Sequence, residues 1–156
     1  MPSAKELEQL FWKELKSDMT VMLGVDANMR PMTAQIEGER GPIWMCTSKD
    51  TEFGKISGTK NAHIAFVSKN HELFATVHGK LTVDNDRAAI ERLWSPFVAA
   101  WFEKGKDDPK IALLRFDPEK AEIWQNETSM VAGAKMLFGA DPKAEYKDKV
   151  AKVAMR

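Results

Sequence analysis

The chain has 156 residues, 44% of them hydrophobic, and its 23 basic and 23 acidic side chains leave no formal net charge. This length and composition predict a single globular domain over residues 1–156, large enough to bury a core without disulfides. Because the charges balance, there is no general basic field to attract nucleic acid, and that class of partner is excluded. The polar first residues and the lack of a long apolar run predict a cytoplasmic protein with no signal peptide and no membrane span.

Few residues are available for metal or nucleophilic chemistry. Cys46 is the sole cysteine, which excludes an intrachain disulfide and a cysteine-based zinc site. It lies in an apolar strand pattern, where a buried and inert thiol is the favoured interpretation. His63, His71 and His78 follow no metal-ligand or hydrolase motif, so we expect neither a metal site nor a Ser-His-Asp hydrolase.

The first elements follow from periodicity and turn residues. Ser3 and Glu6 have capping-box spacing, and apolar residues then recur every three or four positions, which predicts a helix over 4–16. Alternating apolar residues predict strands over 19–25, 32–37 and 43–47, separated by turns at 26–31 and 38–42. A short helix over 51–57, ended by Gly58, is expected after the third strand.

The second half of the chain predicts more strands and two helical pieces. Strands are expected over 62–68 and 73–83, and Gly79 marks a bulge or a sharp bend in the second of them. Helices are expected over 87–94 and from Ser95-Pro96 to Gly105. Two further strands are predicted over 111–116 and 121–125, split by Asp117-Pro118.

The pattern of elements decides the fold class. A last short helix is predicted from the spacing of Tyr146, Val150 and Val153. About seven strands joined by short turns, with too few helices for β-α-β units, predict a mainly β protein. We therefore expect an antiparallel β-barrel with flanking helices.

Residues 47–55 carry the best candidate for a binding site. The hydroxyls of Thr47, Ser48 and Thr51 fall where a strand ends and a helix begins, and Lys55 lies one turn further on. A helix start presents unpaired N–H groups and partial positive charge, which together with hydroxyls and an ammonium suit a phosphate. The alternative is an ordinary N-cap beside a solvated lysine.

The tryptophans form two separate features. Trp94 and Trp101 flank a Ser-Pro break together with Phe97 and Phe102, and a helical cap packed on the barrel is the favoured interpretation. Trp124 lies in a late strand. It is interpreted as a core residue, a rim residue or a flat wall against an aromatic ligand.

These pieces, in this order and spacing, resemble the pyridoxamine 5'-phosphate oxidase-like FMN-binding split barrels, and within them the general stress protein branch. The resemblance spans most of the chain. It rests on Arg30-Pro31-Met32, on Ile43-Trp44-Met45-Cys46-Thr47-Ser48 with Lys55 downstream, on Val77-His78-Gly79-Lys80-Leu81 followed by Asp84 and Asp86, on Leu93-Trp94 with Trp101-Phe102 and Gly105, and on Pro118 with Ala121-Glu122-Ile123-Trp124.

The resemblance implies a six- or seven-stranded split barrel that forms a homodimer, with FMN in a groove between the two subunits and FAD as the alternative flavin. It assigns no catalytic residue, because the flavin can carry the redox step itself. It implies that Arg30, Pro31, Met32 and Thr33 run along the ring and ribityl chain, that Thr47 and Ser48 meet the flavin and its phosphate, that Thr51 and Lys55 bind the phosphate, and that Trp124 approaches the ring from the partner subunit.

Two departures separate the chain from the pyridoxine-phosphate oxidases. The RPMTAQ strand lacks the lysine that follows the arginine there, and the residues after Trp124, QNETSMVAGAK, lack the Arg-x-His of the vitamin site. Vitamin B6 oxidation is therefore not expected. The resemblance instead implies a flavin-dependent oxidoreductase acting on an unknown small molecule in stress response. A non-enzymatic flavin-binding or buffering protein is the second hypothesis, and a haem-binding split barrel is the third.

Overall fold

The computed structural model describes residues 3–126 and 150–155, and its first element is helix α1, Ala4–Asp18. The predicted capping box is confirmed. The Ser3 hydroxyl accepts from the Glu6 N–H at 3.1 Å, and the Glu6 carboxylate accepts from the Ser3 N–H at 3.0 Å. The helix ends at Met19, whose backbone is left-handed with φ of 58°. Met19 is therefore a helix cap, and the first strand begins one residue later than predicted.

Within residues 3–126 and 150–155, eight antiparallel strands form one sheet. The order across the sheet is β2-β1-β5-β6-β7-β4-β3, and β8 pairs with the end of β7 that β4 does not reach. The strands are β1 Thr20–Val25, β2 Asn28–Thr33, β3 Gln35–Ile36, β4 Ile43–Ser48, β5 Thr59–Val67, β6 Leu73–Val83, β7 Ile111–Gln125 and β8 Val150–Ala154.

The sheet closes into a barrel because its two end strands are consecutive in the chain. β2 runs into β3 through Ala34, which is fully buried and whose N–H donates to the Met19 carbonyl at 2.6 Å. The strand predicted over 32–37 is therefore interrupted by a bend, and β2 and β3 form one bent wall of the barrel. The predicted antiparallel split barrel is confirmed.

The barrel interior holds the main hydrophobic core, and α1 packs its apolar face onto it. Side chains alternate between the two faces of each strand, and the inward set includes the fully buried Leu23, Ile64 and Phe116. Phe11 of α1 meets Phe66 of β5 edge-on, with ring centroids 5.9 Å apart. Burying one such ring stabilises the fold by about 1.5–3 kcal/mol, so α1 is an integral part of the core.

β6 and β7 are long because both bend at one bulge. The register shifts between His78 and Gly79, and a Cβ on Gly79 would lie 2.2 Å from the Asp117 carbonyl oxygen. The bend expected at Gly79 is confirmed. Pro118 pairs opposite Gly79, where the ladder is already irregular and the missing N–H of proline costs little. The chain consequently forms one strand, Ile111–Gln125, and the prediction of two strands split at Asp117-Pro118 is wrong.

Two local predictions near the site also differ from the structure. The first hairpin turn is only Asp26-Ala27, because Asp26 adopts a left-handed backbone with φ of 54° and brings Asn28 opposite Val25. Most of the turn predicted over 26–31 is therefore part of β2. The helix predicted over 51–57 is a single 3-10 turn, Phe53–Lys55.

The remaining helices are short. α2 is Arg87–Leu93, and α3 is Pro96–Ala99, N-capped by the Ser95 hydroxyl as predicted. The predicted helix does not continue to Gly105, which instead opens the 3-10 turn Gly105–Asp107.

The C-terminal prediction is wrong where the structure describes it. The segment Val150–Ala154 is strand β8, paired with Lys120 to Trp124 of β7, because its alternating residues cover the free edge of that strand. Tyr146, the first of the three residues on which the helix was predicted, lies outside the described residues.

Candidate functional site

The barrel is open between β2 and β4. β2 pairs with β1 along one edge, and β4 pairs with β7 along one edge and with β3 only at Ile43 and Trp44 on the other. β2 and β4 nevertheless lie side by side. Within residues 3–126 and 150–155, no strand pairs with the facing edges of β2 and of residues 45–48. Backbone N–H and C=O groups therefore border this gap, here called the split.

At one end of the split, residues 47–55 form a hydrogen-bonded corner, here called the 47–55 corner. The Thr47 and Thr51 hydroxyls lie 3.0 Å apart. The Thr51 hydroxyl donates to the Ser48 carbonyl oxygen at 2.7 Å and accepts from the Gly54 N–H at 3.1 Å. The Ser48 hydroxyl accepts from the Asp50 N–H at 3.2 Å. These bonds fix the shape of the corner.

Gly54 allows the corner to close. A Cβ at this position would lie 2.0 Å from the Ser48 carbonyl oxygen and 2.9 Å from the Lys49 Cα. Both are backbone atoms that cannot move aside without displacing the strand end. Phe53, the preceding residue, is 2% exposed and anchors the 3-10 turn in the core. The buried Phe53 ring therefore anchors the corner to the core, and Gly54 allows the turn to pack closely against the end of β4.

Several charged side chains lie at the corner, and Asp50 pairs there with Lys110 at 3.4 Å. Lys55 is exposed and forms no ion pair within the part of the chain that the structure describes. The Cζ of Arg30 lies 6.0 Å from the centre of the Phe53 ring, and its Nη2 lies 3.5 Å from a Glu52 carboxylate oxygen. The other Glu52 oxygen accepts from the Asn28 amide at 2.6 Å. The corner thus holds two carboxylates, Glu52 paired with Arg30 and Asp50 paired with Lys110, while the Lys55 ammonium forms no ion pair within the described residues.

The predicted residues of β2 alternate between its two faces. Arg30 and Met32 lie opposite the buried residues of β1, and Met32 packs against the core. Pro31 and Thr33 are exposed on the outer face. Arg30 is therefore the side chain of this group that reaches the corner, and the backbone edge of the strand borders the split.

Trp124 does not reach the corner within one chain. Thr47 pairs with Ala112 at the start of β7, whereas Trp124 lies near the end of β7, opposite Phe74 of β6. At roughly 3.3 Å per residue, the strand between these positions runs about 40 Å. Trp124 lines an open groove of about 320 Å³ together with Val67 and Phe74. The structure brings together Arg30, Thr47, Ser48, Thr51 and Lys55, with Pro31, Met32 and Thr33 beside them on β2, and leaves Trp124 apart.

Cys46 faces away from the core, into a small crevice beneath α2 and α3. Leu93, Val98 and Leu113 surround it there. Burial raises the pKa of the Cys46 thiol to about 11. Cys46 is only partly buried, not fully buried as predicted, and its raised pKa favours the unreactive thiol over the thiolate at neutral pH.

We expect folded protein to react with iodoacetamide at pH 8 far more slowly than urea-unfolded protein, because only the thiolate is nucleophilic. With a pKa of about 11 instead of the ordinary 9.0, the thiolate fraction at pH 8 falls on the order of 100-fold. The thiol ionises at lower pH in the unfolded chain than in the folded one. Its contribution to the free energy of unfolding is therefore unchanged below pH 9 and falls as the pH rises from about 9 to 11. Quenched labelling read by mass spectrometry measures this difference, and equal rates in the two states would contradict it.

The predicted aromatic cap is only half formed. Trp94 and Phe102 contact each other with ring centroids 6.3 Å apart, and Phe102 is buried. Phe97 and Trp101 are 78% and 84% exposed, so for these two the packed interpretation is wrong. The reason is the shortness of α3, which turns Val98 and not its neighbour toward the barrel.

The histidines lie away from the split. His63 and His78 face each other across β5 and β6, with ring centroids 5.9 Å apart, on the outer side of the barrel. Among the described residues, no cluster of three or more His, Cys, Asp or Glu side chains is placed to hold a metal ion. Nor does any helix in this part of the chain have the length and apolar character needed to cross a bilayer.

Sequence reasoning missed three residues of the corner. Gly54 carried a signal, because a glycine inside a helical pattern often marks a close backbone approach. Glu52 and Asn28 carried none, since they are 24 positions apart and meet only because β2 folds beside the 3-10 turn.

The fold defines a class of protein, the antiparallel split barrel, here with a preformed, hydroxyl-lined corner at one end of the split. The profile of the family described as "pyridoxamine 5'-phosphate oxidase like" matches residues 6–146 of the chain. The chain belongs to this family, and the predicted resemblance to its general stress protein branch is confirmed.

Individual relatives agree with this assignment. A general stress family protein from Xanthomonas campestris pv. campestris has 53% sequence identity and a TM-score of 0.77, over 83% of this chain and 93% of that one. The general stress FMN/FAD binding protein from Xanthomonas citri has 53% identity and a TM-score of 0.76, over 80% and 92%. General stress protein 26 of Bacillus subtilis (strain 168) is 31% identical over 85 residues, which span 52% of this chain and only 60% of that protein.

Proposed function

We propose that the protein binds FMN in the split, with the phosphate at the 47–55 corner. The observation that carries the proposal is the meeting of unpaired strand edges with a preformed, hydroxyl-lined corner and an exposed ammonium. A dianionic phosphate needs cations and several N–H or O–H donors, and a flat ring with polar edges suits free backbone groups. The Xanthomonas citri relative is described as an FMN/FAD binding protein, which supports a flavin and keeps FAD as the alternative.

Each side chain of the corner has its own role in the proposed binding. Lys55 neutralises phosphate charge, and Arg30 supplies a second cation nearby. Thr47 and Ser48 offer hydroxyls to the phosphate and the flavin. Thr51 contributes through its bonds to the Ser48 carbonyl and the Gly54 N–H, which keep the corner in shape. The edge formed by Arg30, Pro31, Met32 and Thr33 follows the ribityl chain and the ring.

A homodimer completes the proposed site. Trp124 lies about 40 Å of strand away from the corner of its own chain, and we assign it to the flavin ring bound at the corner of a second copy. The outer face of β1, β2 and β5 supports such pairing, because Met22, Met29 and Val67 are 38%, 39% and 43% exposed there. Val67 also borders the groove of Trp124.

The proposed activity is flavin-dependent oxidation or reduction of an unknown small molecule. Bound FMN would supply the electron-transfer chemistry, and the residues of the chain would bind it, orient it and exclude water. A non-enzymatic flavin carrier uses the same binding geometry. Reduction of the bound flavin by NAD(P)H with turnover of an acceptor distinguishes the enzyme from the carrier. Haem is disfavoured at the split, because His63 and His78 lie on the outer face of β5 and β6.

Mixed dimers test the shared site directly. Differently tagged Lys55→Ala and Trp124→Ala chains are exchanged, and the doubly tagged dimer is titrated with FMN. If each site combines the corner of one copy with Trp124 of the other, the mixed dimer contains one intact site and regains one tight-binding equivalent that neither parent has. A mixed dimer of wild type and Lys55→Ala calibrates the exchange. No recovery in the mixed mutant dimer would show that the site does not cross subunits.

A further inference from the structure

A carboxylate lies inside the corner that is proposed to bind an anion. Glu52 immediately precedes the 3-10 turn and extends toward β2. One of its oxygens accepts from the Asn28 amide at 2.6 Å, and the other lies 3.5 Å from the Arg30 guanidinium. Both members of this ion pair are about half exposed, at 51% for Arg30 and 50% for Glu52. Glu52 therefore links the strand on one side of the split to the turn on the other.

This arrangement works against anion binding in the free protein. Arg30 is a cation beside the corner, and its charge is partly neutralised by Glu52 before any ligand arrives. The carboxylate also repels an incoming phosphate at close range. The Phe53 ring under Arg30, 6.0 Å from its Cζ, offers the guanidinium a second contact that does not depend on Glu52. Arg30 can thus stay over the corner while it changes partner.

We propose that Glu52 is an internal competitor for Arg30, which a phosphate monoester must displace when it enters the corner. This inference rests on the proposed function, because it assigns a specificity role within the same site. Its consequence is selective: Glu52 lowers affinity for ligands that bear a dianionic phosphate and leaves the affinity for the same ring without phosphate unchanged. The carboxylate acts by its charge, both on Arg30 and on the phosphate of the ligand.

The test compares FMN with riboflavin on wild type, Glu52→Gln and a control. The Gln amide keeps the size of the side chain and can accept from Asn28, but it has no charge. Glu91→Gln is a matched control, because Glu91 is an equally exposed carboxylate paired with Arg87 on α2, at 3.3 Å. Dissociation constants are measured by flavin fluorescence in low salt and again in about 1 M salt, where exposed charges are screened.

We expect Glu52→Gln to bind FMN about 3- to 10-fold more tightly than wild type in low salt, as the loss of one like charge near the surface predicts. Riboflavin affinity should not change, the Glu91→Gln control should match wild type for both ligands, and the gain should shrink in high salt. Unchanged or weaker FMN binding by Glu52→Gln would overturn the inference. So would an equal gain for riboflavin, or a gain that salt does not reduce. If wild type itself binds no FMN, the proposed function fails first, and the two failures are thereby distinguished.

Discussion

Gly54→Ala is expected to weaken phosphate-dependent flavin binding strongly and to destabilise the fold. The added Cβ would lie 2.0 Å from the Ser48 carbonyl oxygen, so the 3-10 turn must move away from the end of β4. That movement breaks the bond between the Gly54 N–H and the Thr51 hydroxyl. Overpacking against backbone costs about 3 kcal/mol of unfolding free energy. Losing several charge-assisted phosphate contacts weakens FMN binding on the order of 100-fold or more.

Urea unfolding and FMN titration measure the two effects of Gly54→Ala, and Gly58→Ala is the control. Gly58 lies just after the corner in open space, with φ of +68°. Alanine there costs about 1 kcal/mol for the left-handed backbone alone. Its FMN affinity should stay near that of wild type. If Gly54→Ala were as stable as Gly58→Ala and bound FMN equally well, the packing described for the corner would be wrong.

Lys55→Ala should weaken FMN binding about tenfold to a hundredfold, because a charge-assisted contact to phosphate is worth roughly 1.5–3 kcal/mol. The fold should be unaffected, since the Lys55 side chain is exposed and its backbone N–H bonds to the Thr51 and Glu52 carbonyls remain. Riboflavin, which has no phosphate, should bind both proteins equally. Fluorescence titrations with both flavins and a thermal melt give all three results.

A lysine elsewhere on the surface separates the local effect of Lys55 from a change in net charge. Lys5 is exposed on α1, so Lys5→Ala removes the same charge outside both the corner and the groove of Trp124. We expect it to bind FMN like wild type. Equal affinities for Lys55→Ala and wild type would remove Lys55 from the site, and equal losses in both variants would assign the effect to general charge.

Much of the barrel could be predicted from sequence because its signals are local. The alternation in Leu73–Val83 predicted the bounds of β6, and the Ser3 and Glu6 pair predicted the start of α1. Asp117-Pro118 led to the wrong prediction of two separate strands, because proline normally ends a central strand. Here Gly79 on the neighbouring strand creates a bulge that tolerates the missing N–H. That compensation joins residues far apart in sequence and could not be inferred from either one.

The site could be predicted in part for the same reason. The hydroxyls and lysine of residues 47–55 follow one another along the chain, so their clustering was visible as a motif. Predicting the contact of Glu52 with Asn28 and Arg30 would have required knowing that β2 lies beside the corner. Predicting the split would have required knowing the order of the strands across the sheet. Predicting the separation of Trp124 from the corner would have required the register of β7. The proposed role of Trp124 depends on a second copy of the chain.

The central claim, that the split and its corner bind FMN, is tested most directly by visible absorption of the pure protein. Spectra are recorded as purified and again after incubation with FMN and removal of the excess by gel filtration. We predict retained flavin bands, perturbed from those of free FMN, at about one flavin per chain, with retention reduced in Lys55→Ala. A wild-type protein that emerges colourless, with free FMN eluting separately, would contradict flavin binding at this site.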